Sequence, residues 1–451
     1  MMDFSRMRAF FEEGNTLDMR ARLGWLRALQ QGIVRHEAKL LAALELDLGK
    51  APTEGYMTEV GLVLDELRCQ LRHLRRWAKP RRARTPLAQF HAVSRVYREP
   101  YGLVLVMAPW NYPLQLSLEP LIGAVAAGNC VVLKPSKDAP HTAKAIERLL
   151  EDCLPRELVR VVQGGRAENT ELLETRFDYI FFTGGKTVGR LVMEKAARYL
   201  TPVSLELGGK SPVLVLDDAK IDLAAKRIVF GKLLNSGQTC VAPDYVLVHS
   251  GVKDELVAAM EKYIALFLGE YPLQSSEYPH IITQKHMQRL TGLLDGARIL
   301  CGGRVDGMRI EPTLIEASGR EEPAMQEEIF GPILPILTMD TLEEMIAFVR
   351  SDEKPLALYL FTESKPAQRE VLRRLSFGGG CINDTVVHLA TTHMGFGGVG
   401  GSGMGAYHGR RSFETFSHEK SVLDKSTFMD LPFRYHPYTE KKERLIRFFL
   451  K

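Results

Sequence analysis

No stretch of the chain reaches eighteen uninterrupted apolar residues, so a stable membrane span is not expected. The first residues include Asp3, Arg6, Arg8, Glu12 and Glu13 and lack the apolar core of a secretory signal, which makes the cytoplasm the expected location. Cysteine is sparse. The six, at 69, 130, 153, 240, 301 and 381, form no C-x-x-C pair and flank no histidine pair. That argues against zinc or a disulfide framework and for free thiols, so no metal is expected. Excess charge is small too: 59 Lys and Arg against 55 Asp and Glu leave +4, too little at this length to indicate nucleic acid as a partner. There is no internal repeat or low-complexity segment. Asn383-Asp384-Thr385 matches a glycosylation pattern, which carries no weight without a secretory signal.

What the chain does have is an ordinary globular composition, 45% hydrophobic and 25% charged, over 451 residues, enough for two or three structural units. Amphipathic helices fill the first 80 residues until Lys79-Pro80-Arg81-Arg82 breaks the pattern, and 93–98 reads as extended. Eight basic residues between Arg68 and Arg84 face away from Leu67, Leu71 and Leu74, the pattern of a solvated helix face running into a connector. Short apolar runs at 103–107, 131–134, 159–162 and 179–182 are each followed by turn residues and a helical segment. Such runs suit strands buried on both faces of a parallel sheet with crossover helices. A second alternation starts at 213–216 and continues through 356–361, so the expected class is α/β with two units meeting near residue 208. The last segment, 440–451, reads as a basic amphipathic helix that could cap a substrate entrance, touch a membrane surface, or pack on the body, the last being the ordinary outcome.

The most informative stretch is Asn235-Ser-Gly-Gln-Thr-Cys240-Val-Ala-Pro243. It sets one thiol on a turn-prone loop between a helical run and the strand 245–248, where loops carry chemistry. A lone loop cysteine is usually a small buried hydrophobe. Two further segments change its meaning: Glu206 in Ser204-Leu-Glu-Leu-Gly-Gly-Lys210 and Asn111 in Pro109-Trp-Asn-Tyr-Pro113 supply a base and an amide for acyl transfer. Gly184, Gly185 and Gly189 follow a strand and open a helix, so that backbone can approach a pyrophosphate. Their G-G-x-x-x-G spacing departs from G-x-G-x-x-G. Gly185-Lys186-Thr187 and Gly209-Lys210-Ser211 end like a P-loop, but its first glycine is replaced by Ile180 and Ser204 respectively, and an NTPase reading fails.

Phe182-Thr-Gly-Gly185 with Val188-Gly189, Leu205-Glu-Leu-Gly-Gly209, Gly237-Gln-Thr-Cys240, Glu327-Glu-Ile-Phe-Gly-Pro332 and Phe396-Gly-Gly-Val-Gly400 resemble, in order and spacing, the aldehyde dehydrogenase superfamily. Gly405-Ala-Tyr-His-Gly409 and Ser412-Phe-Glu-Thr-Phe-Ser417 resemble its class 3 branch. The resemblance implies a Rossmann-like cofactor domain from 1–80 and 102–207, a second α/β catalytic domain over 208–404, and a small oligomerisation arm from 81–101 with 405–451. It implies NAD or NADP as cofactor, with Lys134 at the adenine-side ribose, Glu328 and Phe330 at the nicotinamide-side ribose and His286 near it. Gly164, Gly184, Gly185, Val188 and Gly189 complete the implied cofactor set. Many relatives carry an acid where this chain has Lys137; a lysine removes repulsion of a 2′-phosphate, so NADP is expected to be accepted at least as well as NAD.

The implied reaction is attack of the Cys240 thiolate on an aldehyde, with Asn111 and the Cys240 N–H facing the oxyanion, then thioester hydrolysis by water that Glu206 activates. Each residue has a plainer role open to it: Asn111 as a turn former, Glu206 as a cap on the Gly208-Gly209 turn. Tyr112, Phe396 and the C-terminal segment could wall a tunnel for medium or long aliphatic or aromatic aldehydes, and the branch implies a homodimer. Three alternatives stay open: a dehydrogenase that passes the acyl group to coenzyme A, a non-catalytic binding protein that keeps the fold, and, behind these, a nucleic-acid binder that uses the basic patch.

Overall fold

The computed structural model describes residues 2–450. The helix Met19–Leu48 opens where the Asp18 side chain accepts from the Arg20 N–H at 2.9 Å, and it ends where Gly49 turns left-handed at φ 68°. After a short π-helical passage at Tyr56–Val60, Gly61–Trp77 buries Val63, Leu67 and Leu74 and turns Arg68, Arg72, Arg75 and Arg76 to solvent. The solvated-face reading of that basic stretch therefore holds.

The anticipated apolar runs form a six-stranded sheet. Its parallel part runs Val203–Leu207, Tyr179–Gly184, Leu103–Met107, Cys130–Lys134 and Val159–Val161, closed at one edge by the antiparallel Gly403–Met404. Every residue of Leu103–Met107 and Cys130–Lys134 is buried, because helices cover both faces. A seven-stranded second sheet orders Arg298–Cys301, Thr313–Glu316, Ile333–Met339, Tyr245–His249, Pro212–Val215, Ala357–Phe361 and Gly379–Ile382, parallel except for the first pair. The fold is thus the α/β architecture expected, with two sheets.

A third, antiparallel sheet joins Arg81–Ala83, Ala92–Pro100 and Ser417–Lys425. Residues 403–416 do not follow the simple division at 404. Gly403 pairs with Glu206, and Arg410–Thr415 packs on the helix Gln115–Ala127, so this stretch completes the first layer before the chain enters the arm. The C-terminal helix Glu440–Phe449 has no buried residue, and its main contacts are with the turns at Leu87–Gln89 and Pro432–Arg434. Close packing on the main body, the ordinary outcome for such a helix, is not seen among the described residues.

Candidate active site

Residues Asn235, Ser236 and Gly237 are consecutively left-handed, at φ 51°, 52° and 73°. Two non-glycine residues in that region are strained, and the surroundings must hold them. The Asn235 N–H donates to Glu54 at 2.7 Å, and the Ser236 hydroxyl donates to the Pro279 carbonyl. Gly237 admits no side chain: a Cβ would lie 2.2 Å from the Gly331 carbonyl oxygen. The consequence is a sharp corner that delivers Cys240, half-buried, to the place where two cavities meet. One is a polar cleft of about 750 Å³ walled by Asn111, Thr183, Gly184, Glu206 and Glu328; the other is an apolar cavity of about 130 Å³ walled by Tyr112, Leu116, Val241 and Phe396.

Asn111 is buried, and its amide donates one hydrogen to the Gln238 carbonyl at 3.0 Å, leaving the second for a ligand. It is no mere turn residue. Its own carbonyl accepts from Lys50 Nζ at 3.0 Å and from the Asn235 amide at 2.8 Å. Lys50 is fully buried, 2.6 Å from Glu59 and 3.8 Å above the Tyr112 ring. Glu59 in turn accepts from the Leu114 N–H at 2.8 Å. This buried pair clamps residues 111–115, and nothing in the sequence around Lys50 or Glu59 announces it.

Glu206 is buried and neither carboxyl oxygen has a hydrogen-bond partner among the described residues, so it does not cap the glycine turn. Burial raises its pKa to about 7, opposed by the nearby Cys240 thiol and the charge of His408. Burial, Glu206 and Glu328 push the Cys240 thiol well above its ordinary value. The resting sulfur is therefore a protonated thiol beside a carboxyl poised to take its proton, while the Cys240 N–H favours the thiolate once formed.

The implied cofactor residues fall into two groups. Gly184, Gly185, Glu328, Phe330 and His286 wall the cleft with Thr183. Trp110 braces two of them, 5.1 Å from the His286 ring and 5.4 Å from that of Phe330. A dinucleotide fits this chemistry: Thr183 Oγ1 and Glu328 Oε1 are buried without partners, and a Cβ on Gly208 would lie 2.0 Å from Glu328 Oε2. Burial and Asp244 hold the Glu328 carboxyl up at about 8. Lys134, Gly164 and Lys137 gather elsewhere, at the ends of neighbouring strands. Lys134 donates to the Gly164 carbonyl at 2.8 Å, and exposed Lys137 lies over Gly165. Val188 is exposed outside the cleft wall. Gly189 is a packing residue, where a Cβ would meet Leu207 at 2.6 Å. Lys210 is a strut, bonded to Asp244 and to the carbonyls of Ala324 and Glu327. The C-terminal segment lines neither cavity, so its expected part in the tunnel is not borne out.

A family model described as "Aldehyde dehydrogenase family" matches residues 4–422. The 4,4′-diaponeurosporen-aldehyde dehydrogenase of Staphylococcus aureus is 47% identical over 450 residues, 99% of this chain and 98% of that protein. The dimeric, NADP-preferring aldehyde dehydrogenase of Rattus norvegicus is 43% identical, covering 97% and 98% respectively. The substrate-bound structure of Staphylococcus aureus AldH superposes with a TM-score of 0.97 at 47% identity, over 99% of this chain and 98% of that one. Glyceraldehyde-3-phosphate dehydrogenase GapN of Methanocaldococcus jannaschii, solved with NADP, gives 0.84 at 25% identity, over 94% and 93%.

Proposed function

This chain belongs to the aldehyde dehydrogenase family and oxidises aldehydes with NAD or NADP, and from that premise we propose that Cys240, Glu206 and Asn111 carry the reaction. The observation that carries this reading is the position of the Cys240 sulfur at the junction of a polar cleft and an apolar cavity. Glu206 takes the thiol proton, and the thiolate attacks the aldehyde carbon. The free hydrogen of the Asn111 amide and the Cys240 N–H face the oxyanion of the thiohemiacetal. The adduct on Cys240 collapses to a thioester by losing its hydride, for which a nicotinamide held in the polar cleft would be the acceptor. Glu206 then takes a proton from water, which attacks the thioester and releases the carboxylate. Thr183, Gly184, Gly185, Glu328, Phe330 and His286 hold the nicotinamide side, and Lys134, Lys137 and Gly164 the adenine side.

The inner cavity, walled largely by apolar side chains such as Tyr112, Phe396, Leu116 and Val241, suits medium or long aliphatic or aromatic aldehydes. The relative from Staphylococcus aureus is named for an apolar aldehyde. Exposed Lys137 supports acceptance of NADP at least equal to that of NAD, in keeping with the NADP-preferring rat relative. The working domain division is 1–80 and 102–207 for the cofactor, 208–404 for catalysis and 81–101 with 405–451 as arm and C-terminal extension. That arm sheet supports a homodimer, as does the dimeric rat relative. The six unpaired cysteines suit the cytoplasm, and no helix among the described residues is long and apolar enough to cross a membrane.

A panel of aldehydes run against both cofactors, with and without coenzyme A, tests these statements together. Growth of reduced nicotinamide with apolar aldehydes, independent of coenzyme A, is expected. Turnover only with coenzyme A, or a strong preference for NAD, contradicts the corresponding part.

A further inference from the structure

The motif Gly405-Ala-Tyr-His-Gly409 puts a histidine where the reaction above gives it no part. His408 is 3% exposed and holds a left-handed backbone, φ 80°, which a non-glycine residue adopts only when its surroundings compel it. Those surroundings are specific. The His408 N–H donates to the Ser412 hydroxyl at 2.8 Å, and the next N–H, of Gly409, donates to Glu66 at 2.7 Å. Glu66 also accepts from Gln70 at 2.7 Å. His408 Nε2 lies 3.0 Å from Glu119 Oε2, with both side chains buried. The imidazole stacks on Phe396 at 5.5 Å and 18°, so one side faces the acids and another lines the apolar cavity that Cys240 closes. The same segment is tied to the catalytic strand. Gly403 pairs with Glu206, and Gly405 lies so close to Ser204 that a Cβ would be 2.3 Å from its hydroxyl.

We propose that His408, kept as an imidazolium by Glu119 and Glu66, is a positioning residue whose buried positive charge favours the ionised form of Glu206 so that it can act as base. The inference rests on the role assigned to Glu206 above. A buried carboxylate whose oxygens have no hydrogen-bond partner among the described residues needs a counter-charge, and the described polar contacts of Glu206 offer none. The groups facing His408 are Glu66 from the helix Gly61–Trp77, Glu119 from Gln115–Ala127, Glu206 from Val203–Leu207 and His388 from the turn Val387–Leu389. Burial lowers the imidazole pKa, but Glu119, Glu66 and Glu206 together raise it above its ordinary value. Burial and the charge of His408 hold His388 at about 4, so it stays neutral and does not compete. Arg410 and Arg411 on the following helix are paired with Glu414.

The test is the pH dependence of turnover after the first equivalent of reduced cofactor, in wild type, His408→Gln, Glu119→Gln and Glu206→Gln. Loss of the imidazolium raises the Glu206 pKa, so the acidic limb should move to higher pH by roughly half to one unit in the first two variants, a three- to tenfold loss at about pH 6. A structural role would scale the rate without moving the limb, and an unmoved limb in either variant overturns the proposal. If Glu206→Gln itself keeps the limb, the base assignment fails instead, and the two failures are distinct. Nitrogen-15 histidine spectra of the wild-type protein, followed as pH rises, need no variant. His408 is expected to keep its imidazolium signature above the ordinary histidine range, and deprotonation at or below that range overturns the proposal whether or not the variants fold.

Discussion

Replacing Glu206 by Gln tests catalysis and stability through one group. A carboxyl raised from 4.5 to about 7 by burial is half ionised at about pH 7. If its ionised form is the base, wild-type turnover should run at about a tenth of its plateau at pH 6, a half at pH 7 and nine tenths at pH 8. In Glu206→Gln the limb should vanish and turnover fall by about 10²–10⁴-fold, while the first equivalent of reduced cofactor still forms, but more slowly than in the wild type because the Cys240 thiol has lost its proton acceptor. Stability moves the other way. Because the folded-state pKa is raised, the protonated carboxyl is tolerated at low pH and stability is lost as pH climbs through about 7. The cost of ionising this buried group is about 0.8 kcal/mol at pH 5 and about 3.3 kcal/mol at pH 8. The wild type should therefore lose about 2.5 kcal/mol over that span that Glu206→Gln does not lose. In a chain of this length that amounts to about 2–3 °C of melting temperature. Thermal melts of both proteins at the two pH values read the difference directly. A limb that persists in the variant, or an unchanged gap between the melting temperatures, refutes the reasoning.

Lys50→Met should cost about 3–5 kcal/mol, since it strands Glu59 in a fully buried site, and should slow formation of reduced cofactor more than it raises the aldehyde KM, because the Asn111 backbone loses its anchor. Melting temperature and rapid-mixing kinetics measure the two effects. Gly208→Ala should weaken cofactor binding by about tenfold or more while leaving the melting temperature nearly unchanged, as the added methyl displaces the Glu328 carboxylate. Fluorescence titration with NADH and NADPH reads the binding. Lys137→Glu should lower NADPH affinity by about tenfold with little effect on NADH, and an equal loss for both would contradict its proximity to a 2′-phosphate.

How legible this was from the sequence depends on the range of the interactions concerned. Runs such as 103–107 and 131–134 declare themselves because a strand buried on both faces must be apolar throughout, and the helix cap at Asp18 and stop at Gly49 are local chemistry. The Cys240 loop was readable as a turn because Asn, Ser and Gly tolerate left-handed backbone. The clamp on Asn111 was not. Lys50 and Glu59 sit in a segment with no unusual pattern, and only tertiary contact across 61 residues gives Lys50 its partner carbonyl. The same holds for His408, which reaches Glu119 and Glu66 from nearly 300 residues or more away in the chain. Gly189, which the resemblance assigns to the cofactor, also makes room for Leu207, a packing demand that the sequence pattern does not declare. The C-terminal helix has the amphipathic pattern that predicts packing, yet none of its residues is buried and its main contacts are with two short turns.

The account turns on covalent chemistry at one sulfur, and trapping the acyl-enzyme tests that most directly. Glu206→Gln incubated with an apolar aldehyde and cofactor, acid-quenched and digested, should yield the Cys240 peptide carrying the acyl mass in proportion to the reduced cofactor formed. Reduced cofactor without an acyl group on Cys240, or with the adduct on Cys381 or another thiol, would contradict it.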